Sequence, residues 1–173
     1  MAIASKDGLL DSPRHRVLNF FDRSKIANVD ERKEAITVQS LLDMTSGIEW
    51  TEPLDGRPDS VIEMERSPDW VKFILDRPMS SAPGDTFNYN SGNPHLLSAI
   101  LTKLTGMNAL EYAKTKLFGP LGINDLYWRQ DPQGISRRIR TVLAGSRYGE
   151  DRLSIPAQRH VGRSGTASAR LDR

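Results

Sequence analysis

The chain has 173 residues, 38% of them hydrophobic and 27% charged, which is the balance of a soluble globular domain. The absence of cysteine excludes disulfides, thiolate nucleophiles and cysteine-based metal sites, and the three histidines lack metal-ligand spacing, so we predict no cofactor. No apolar run approaches the roughly 20 residues of a membrane span, and Met1–Asp7 lacks the cationic start and apolar stretch of a signal peptide. We therefore expect a cytoplasmic protein without a membrane partner.

The net charge of +2 hides two regions of opposite sign. Residues 1–136 contain 15 lysines and arginines against 19 acids, whereas residues 137–173 contain nine arginines, no lysine and three acids. We interpret residues 1–136 as the folded region and residues 137–173 as an arginine-rich, disordered tail.

Two helices are predicted in the first half of the chain. The segment Thr37–Gly47 begins on a good N-cap, has apolar residues at helical spacing and ends on a glycine suited to the left-handed conformation. Ser67 and Pro68 predict the N-cap and first residue of a second helix, which ends before Pro78. The prolines and glycine of residues 51–66 indicate a loop between them.

A tight turn at Ser81–Asp85 precedes the strongest predicted helix. Leucines and isoleucines recur along one helix face from Pro94 until Gly106. The polar segment Thr86–Gly92, with two aromatic residues, lies between the turn and this helix.

The last predicted elements are a short helix and a short strand. Asn108 and Glu111 have the spacing of a capping box, which starts a helix that ends near Gly119. Leu126–Trp128 is a plausible strand, and beyond Ser136 the residues follow neither helical nor strand periodicity.

Tyr89 is the residue whose setting is best suited to presenting a reactive group, because it lies in a small polar loop ahead of a buried helix. From the local pattern alone, the alternative is a half-buried packing residue between Phe87 and the apolar helix. His95 is interpreted as a surface or helix-start residue after Pro94, and His15 between two arginines is a weaker candidate still.

Several blocks of residues 1–136 carry a family resemblance through their order and spacing. The blocks are Gly8–Ser12, Ile36–Gly47, Pro83–Tyr89, Leu96–Leu97, Leu117–Ile123 and Trp128. They resemble β-lactamase-related serine hydrolases, a group that includes class C β-lactamases, D-alanyl-D-alanine carboxypeptidases, esterases and 6-aminohexanoate-dimer hydrolase-like enzymes. The resemblance implies an α/β sandwich of an antiparallel sheet with flanking helices, here mainly its helical lobe with most of the sheet missing.

The resemblance also implies two catalytic residues, Tyr89 and Ser91, because Tyr89-Asn90-Ser91 matches the family's Tyr-x-Asn or Tyr-x-Ser element. Tyr89 would help to activate a nucleophilic serine and carry its proton to the leaving group, and Ser91 would orient a lysine and the substrate carbonyl. The substrate class implied is a small-molecule amide, ester or lactam.

The family's nucleophile, a serine followed three positions later by a lysine on a helix, has no match in this chain. We expect its counterpart roughly ten residues before Met1, and a start codon that has been lost or misplaced. The family's third motif, Lys/His-Thr/Ser-Gly, is matched only in letters by His160–Gly162 and Arg163–Gly165, which follow no strand pattern. The chain is therefore expected to be inactive alone; the alternative is a non-catalytic fragment or binding remnant.

The tail after Ser136 has a specific explanation in a reading-frame shift. Synonymous codons can be chosen for residues 137–162 that, read one base later, encode GGYGLYLQARDMAKIGYLYLRNGTW, which resembles what the family places there. We therefore predict that the tail is a frameshifted translation without an evolved partner. The competing interpretation is an arginine-rich arm for nucleic acid, against which stand the lack of lysine and of aromatic residues beyond Tyr148.

Overall fold

The computed structural model describes residues 1–53, 58–124 and 126–143, with residue 127 and residues 137–143 described by their backbone alone. Within this part of the chain, short helices are followed by two antiparallel strands. The elements are α1 (Ala2–Lys6), α2 (Glu31–Ala35), α3 (Val38–Leu42), α4 (Ser60–Arg66), α5 (Trp70–Asp76), α6 (Gly92–Thr105), α7 (Ala109–Ala113), β1 (Leu126–Gln130) and β2 (Ser136–Leu143). The fold is mainly helical with little strand, as expected for a helical lobe.

Helix α6 lies at the centre of the core, where it packs against α3, α5, α7 and β2. Its residues Leu96, Ala99 and Ile100 are buried at helical spacing, and each large aliphatic side chain buried in this way contributes about 1.5–3 kcal/mol. Gly106, in the left-handed conformation with φ of 70°, ends the helix as predicted. The helix begins earlier than Pro94, at Gly92.

Helix α3 has the predicted start and a different end. Thr37 caps it through a reciprocal capping box with Ser40, but the helix stops at Leu42, well before Gly47. Met44 then takes the left-handed conformation, with φ of 59°. The carbonyls of Met44 and Thr45 accept hydrogen bonds from the loop at residues 84–88 and not from helical partners. The prediction of a helix up to Gly47 was wrong because these long-range bonds replace the helical ones.

The region between α3 and α5 contains a helix that the sequence did not suggest. Asp59 accepts a hydrogen bond from the backbone N–H of Val61 at 2.7 Å and so caps α4, whose Met64 is fully buried. The N-cap of α5 is Asp69 and not Ser67, because the hydroxyl of Ser67 donates to the carbonyl of Met64 instead. The predicted end before Pro78 is confirmed.

The last elements of the described region are α7 and the two strands. Asn108 and Glu111 form the predicted capping box of this helix, which continues as a π-helical turn to Phe118. Strand β1 pairs antiparallel with β2, with a register shift between Tyr127 and Arg129. Strand β2 runs past the boundary at residue 136, up to Leu143, so periodicity alone failed to detect this strand; residues 144–173 of the predicted tail lie outside the described part.

Large apolar side chains remain exposed, as expected for a partial lobe. They include Leu9, Leu42, Phe87, Leu117 and Leu121. An open apolar groove of about 630 Å³ lies between α1, α3, α6 and α7, and Leu42 and Leu117 line it. No helix within the described residues is long and apolar enough to cross a membrane.

Candidate active site

The loop that carries Tyr89 runs beside the segment that follows α3. The backbone N–H of Gly84 donates to the carbonyl of Thr45 at 2.8 Å, and the N–H of Asn88 donates to the carbonyl of Met44 at 2.9 Å. The predicted turn is present, with the N–H of Asp85 donating to the carbonyl of Ala82. Two segments about 40 residues apart in sequence are thereby held side by side.

Gly47 allows this close approach. Its φ is +75°, and a Cβ at this position would lie 2.4 Å from the carbonyl oxygen of Ser81. The N–H of Ser80 donates to the carbonyl of Gly47 at 2.8 Å. Gly47 is left-handed as predicted, but its role is to leave room for the backbone of Ser81 and not to end a helix.

Tyr89 is 58% exposed, while both of its neighbours are anchored. The side-chain amide of Asn88 donates to the backbone carbonyl of Trp50 at 3.0 Å. Asn90 is 1% exposed, and its side-chain oxygen accepts from the N–H of Gly92 at 2.7 Å. The alternative of a half-buried packing tyrosine is therefore not observed, because the loop is fixed to the protein and the phenol projects into solvent.

Ser91 is bound by Glu52, a residue that the sequence analysis did not select. The Ser91 hydroxyl donates to Oε1 of Glu52 at 2.7 Å, and the Ser91 backbone N–H donates to Oε2 at 3.1 Å. The indole N–H of the buried Trp50 donates to the same Oε2 at 3.0 Å. One carboxylate thus joins the start of α6 to the segment after α3.

A second buried contact supports the same junction. The hydroxyl of Ser46 donates to the side-chain oxygen of Asn93 at 3.0 Å, and both residues are at most 3% exposed. Because buried polar groups are costly unless they are hydrogen-bonded, this pair favours one relative position of α6 and the Thr45–Gly47 segment.

His95 lies in the first turn of α6, so the helix-start interpretation is confirmed, but the surface interpretation was wrong because the residue is only 1% exposed. Its side chain is fully buried on α6, where Nε2 lies 2.9 Å from Oδ2 of Asp131, also fully buried. Oδ1 of Asp131 accepts from the N–H groups of Gln133 and Ile135. A sequence signal did exist, because His95 lies four residues before the buried Ala99 and so on the inward face of the helix.

The serine nearest to Tyr89 in sequence is held by an acid and not by a base. Ser91, the serine next to Tyr89 in sequence, is bonded to a carboxylate and has no lysine three positions later. His160 and Arg163, the residues that match the third motif in letters, lie outside the described part of the chain. No group of His, Asp or Glu able to hold a metal ion occurs within the described residues.

Solved structures with the same fold include three hydrolases. A putative 6-aminohexanoate-dimer hydrolase from Bacillus anthracis is 16% identical with a TM-score of 0.61, over 78% of this chain and 38% of that protein. A D-stereospecific amidohydrolase from Streptomyces sp. is 20% identical with a TM-score of 0.55, over 78% and 43%. A β-lactamase/D-alanine carboxypeptidase from Yersinia pestis is 16% identical with a TM-score of 0.56, over 78% and 38%. The chain thus spans less than half the length of these proteins.

The family comparison covers more of the chain than the motifs did. Residues 4–170 match the family described as Beta-lactamase, a range that extends past Ser136 into the arginine-rich segment. Because this match includes most of the 173 residues, the chain belongs to the β-lactamase-related serine hydrolase family.

Proposed function

We propose that this chain carries the tyrosine half of a serine hydrolase active site for amide, ester or lactam bonds. The main support is the setting of Tyr89, which is 58% exposed while the flanking Asn88, Asn90 and Ser91 are hydrogen-bonded to the protein. A general base must reach the reacting atoms without rearranging the backbone, so an exposed phenol on an anchored loop suits this role.

In the proposed reaction, Tyr89 acts as the general base and takes the proton of a serine hydroxyl as that oxygen attacks the carbonyl carbon. The tetrahedral intermediate then breaks its bond to the leaving nitrogen or oxygen, which takes the proton back from Tyr89. Water hydrolyses the acyl-serine in the same way, with Tyr89 receiving a proton from water and returning one to the serine oxygen. Tyr89 ends in its starting state.

The nucleophile of this reaction has to come from outside the 173 residues, since no serine here has a lysine three positions later. We therefore propose that the chain alone forms no acyl-enzyme. The purified chain should be incubated with a fluorophosphonate probe, a chromogenic cephalosporin and an activated ester, beside a class C β-lactamase as the positive control. We expect no labelled serine and no hydrolysis, and a labelled serine located by mass spectrometry would contradict the proposal.

The role of Tyr89 itself is tested in a product that includes a nucleophile. The DNA upstream of the Met1 codon should be sequenced for a Ser-x-x-Lys run. In an extended product with that run, Tyr89→Phe should lower the acylation rate roughly 10²- to 10⁴-fold, which is the usual contribution of general acid–base catalysis. Tyr112→Phe is the matched control, because it removes a hydroxyl that donates to Asp7 at 3.0 Å, away from the loop.

An unchanged rate in Tyr89→Phe would exclude Tyr89 as the base. If the upstream DNA lacks Ser-x-x-Lys codons, the chain is the non-catalytic remnant instead.

A further inference from the structure

Glu52 determines which way the hydroxyl of Ser91 points. A carboxylate oxygen only accepts hydrogen bonds, so the short contact of 2.7 Å between Ser91 Oγ and Glu52 Oε1 places the hydroxyl hydrogen between these two atoms. A serine hydroxyl has one hydrogen to donate and two lone pairs that accept. With its hydrogen directed to Glu52, Ser91 can present only acceptor lone pairs to a bound molecule.

The charge on Glu52 is not balanced by a cation among the described residues. Within the part of the chain that the structure describes, its hydrogen bonds come from neutral donors, namely the hydroxyl and N–H of Ser91 and the indole of Trp50. By contrast, Glu63 is paired with Arg77 at 3.3 Å. The Ser91–Glu52 pair is therefore a surface of acceptors with a net negative charge, and both residues are only partly buried.

We infer that Glu52 is a positioning residue that fixes the polarity of Ser91, so that the pair receives an ammonium or N–H group and does not donate to a carbonyl oxygen. This inference rests on the proposed function, because that function places the Ser91–Glu52 pair in a catalytic cleft. It refines the substrate class to compounds with an amine or amide N–H near the scissile bond. The family resemblance implies two tasks for Ser91. The inference keeps the first task, orienting a lysine, and excludes the second, orienting the substrate carbonyl.

Binding can be tested without any catalysis, on the full 173-residue chain. The ¹⁵N-labelled protein should be titrated, at constant ionic strength, with n-propylammonium chloride, which only donates hydrogen bonds, and with N,N-dimethylacetamide, which only accepts them. Exposed ion pairs are weak in water, so the titrations extend through the millimolar range. We expect propylammonium to shift the Ser91 amide and Trp50 indole resonances saturably, and dimethylacetamide to leave them in place.

Two variants separate this role from a purely structural one. Glu52→Gln keeps a side-chain oxygen and removes the charge, so propylammonium should bind roughly tenfold more weakly, while added salt should have less effect on its binding. Glu63→Gln makes the same chemical change on a carboxylate paired with arginine and should leave the Ser91 shifts unchanged. If Glu52→Gln fails to fold, the two probes on the unmodified chain still show whether the Ser91–Glu52 pair binds a hydrogen-bond donor or an acceptor.

Saturable shifts with dimethylacetamide, equal propylammonium binding in Glu52→Gln, or no response of Ser91 to propylammonium would each overturn the inference. None of these results affects the labelling experiment on the nucleophile, so the two proposals fail independently. Loss of the Ser91 shifts in Glu63→Gln would also overturn it, because the effect would then follow net charge alone.

Discussion

His95 and Asp131 lie 36 residues apart in sequence, yet their side chains meet at 2.9 Å in the interior, with neither exposed to solvent. Asp131 also accepts the N–H groups of Gln133 and Ile135, so it shapes the turn between β1 and β2. The pair therefore attaches the strand hairpin to α6, one turn after the Tyr89 loop ends.

We predict that Asp131→Ala lowers the free energy of unfolding by about 3–5 kcal/mol, which is typical when one partner of a buried pair is removed. Urea denaturation followed by circular dichroism measures this loss. Asp131→Asn should cost less, because its side-chain oxygen can still accept from the turn. Asp85→Ala, at an exposed position of another turn, should change stability by less than about 0.5 kcal/mol. A similar loss in both alanine variants would mean that the buried pair is not the cause.

Two glycines in the same backbone conformation should differ in how well they tolerate alanine. Gly47 has φ of +75° and Gly106 has φ of +70°, but a Cβ on Gly106 would meet nothing within 4 Å, whereas on Gly47 it would lie 2.4 Å from the Ser81 carbonyl oxygen. Both alanine variants incur the left-handed penalty of about 1–2 kcal/mol. Gly47→Ala should lose about 1–3 kcal/mol more, the usual cost of overpacking.

Hydrogen exchange locates the effect of Gly47→Ala. The amide of Ser80, which donates to the Gly47 carbonyl, should lose protection in this variant and keep it in Gly106→Ala. Equal stability of the two alanine variants would contradict the role assigned to Gly47.

Local sequence signals predicted the parts of the fold that depend on neighbouring residues. The capping box of Asn108 and Glu111 needs only a spacing of three residues, and the structure has it. The apolar pattern of α6 and its terminating Gly106 are likewise contained in one short stretch. Such features depend on neighbouring residues and agree with the final fold, so the sequence predicts them well.

Distant contacts account for what the sequence analysis missed. Glu52 and Ser91 are 39 residues apart, and nothing near Glu52 indicates that its carboxylate will bind the start of α6. Helix α3 ends at Leu42, and the carbonyl of Met44 accepts from the N–H of Asn88, a residue far outside the Thr37–Gly47 pattern. Tyr89 was singled out first by its polar loop and then by the family resemblance, and its exposure became clear only from the fold. Local pattern therefore predicts elements better than it predicts the site.

The reading-frame hypothesis makes a prediction about the gene itself. If residues 137–162 are frameshifted, the actual codons read one base later should encode a glycine-rich strand followed by an Arg-Asp-Met-Ala-Lys helix. Sequencing the DNA across the Ser136 codon and beyond checks this directly. Codons that give an unrelated peptide or a stop in the shifted frame would reject the hypothesis.

Acid should destabilise the contact between the end of α1 and the segment that begins with α7. Hydrogen bonds from Lys116 and Tyr112 lower the pKa of Asp7 below its usual value. Unfolded chains lack these bonds, so near pH 4 and below the unfolded state binds more protons at this position than the native state does, and stability falls as the pH falls. The contribution of Asp7 is fully present above its unfolded pKa of about 3.9 and is lost as the pH drops through its lower native pKa.

Urea midpoints measured between about pH 6 and pH 2 should therefore show a smaller acid-induced decline in Asp7→Asn than in the unmodified chain. Lys116→Met should reduce the decline as well, because the Lys116 ammonium, 2.8 Å from Asp7, is the largest cause of the lowered pKa. The difference between the unmodified chain and Asp7→Asn should shrink toward the acid end, since a protonated Asp7 no longer pairs with Lys116. A constant difference across this pH range would mean that Asp7 stabilises the junction through packing and not through its charge.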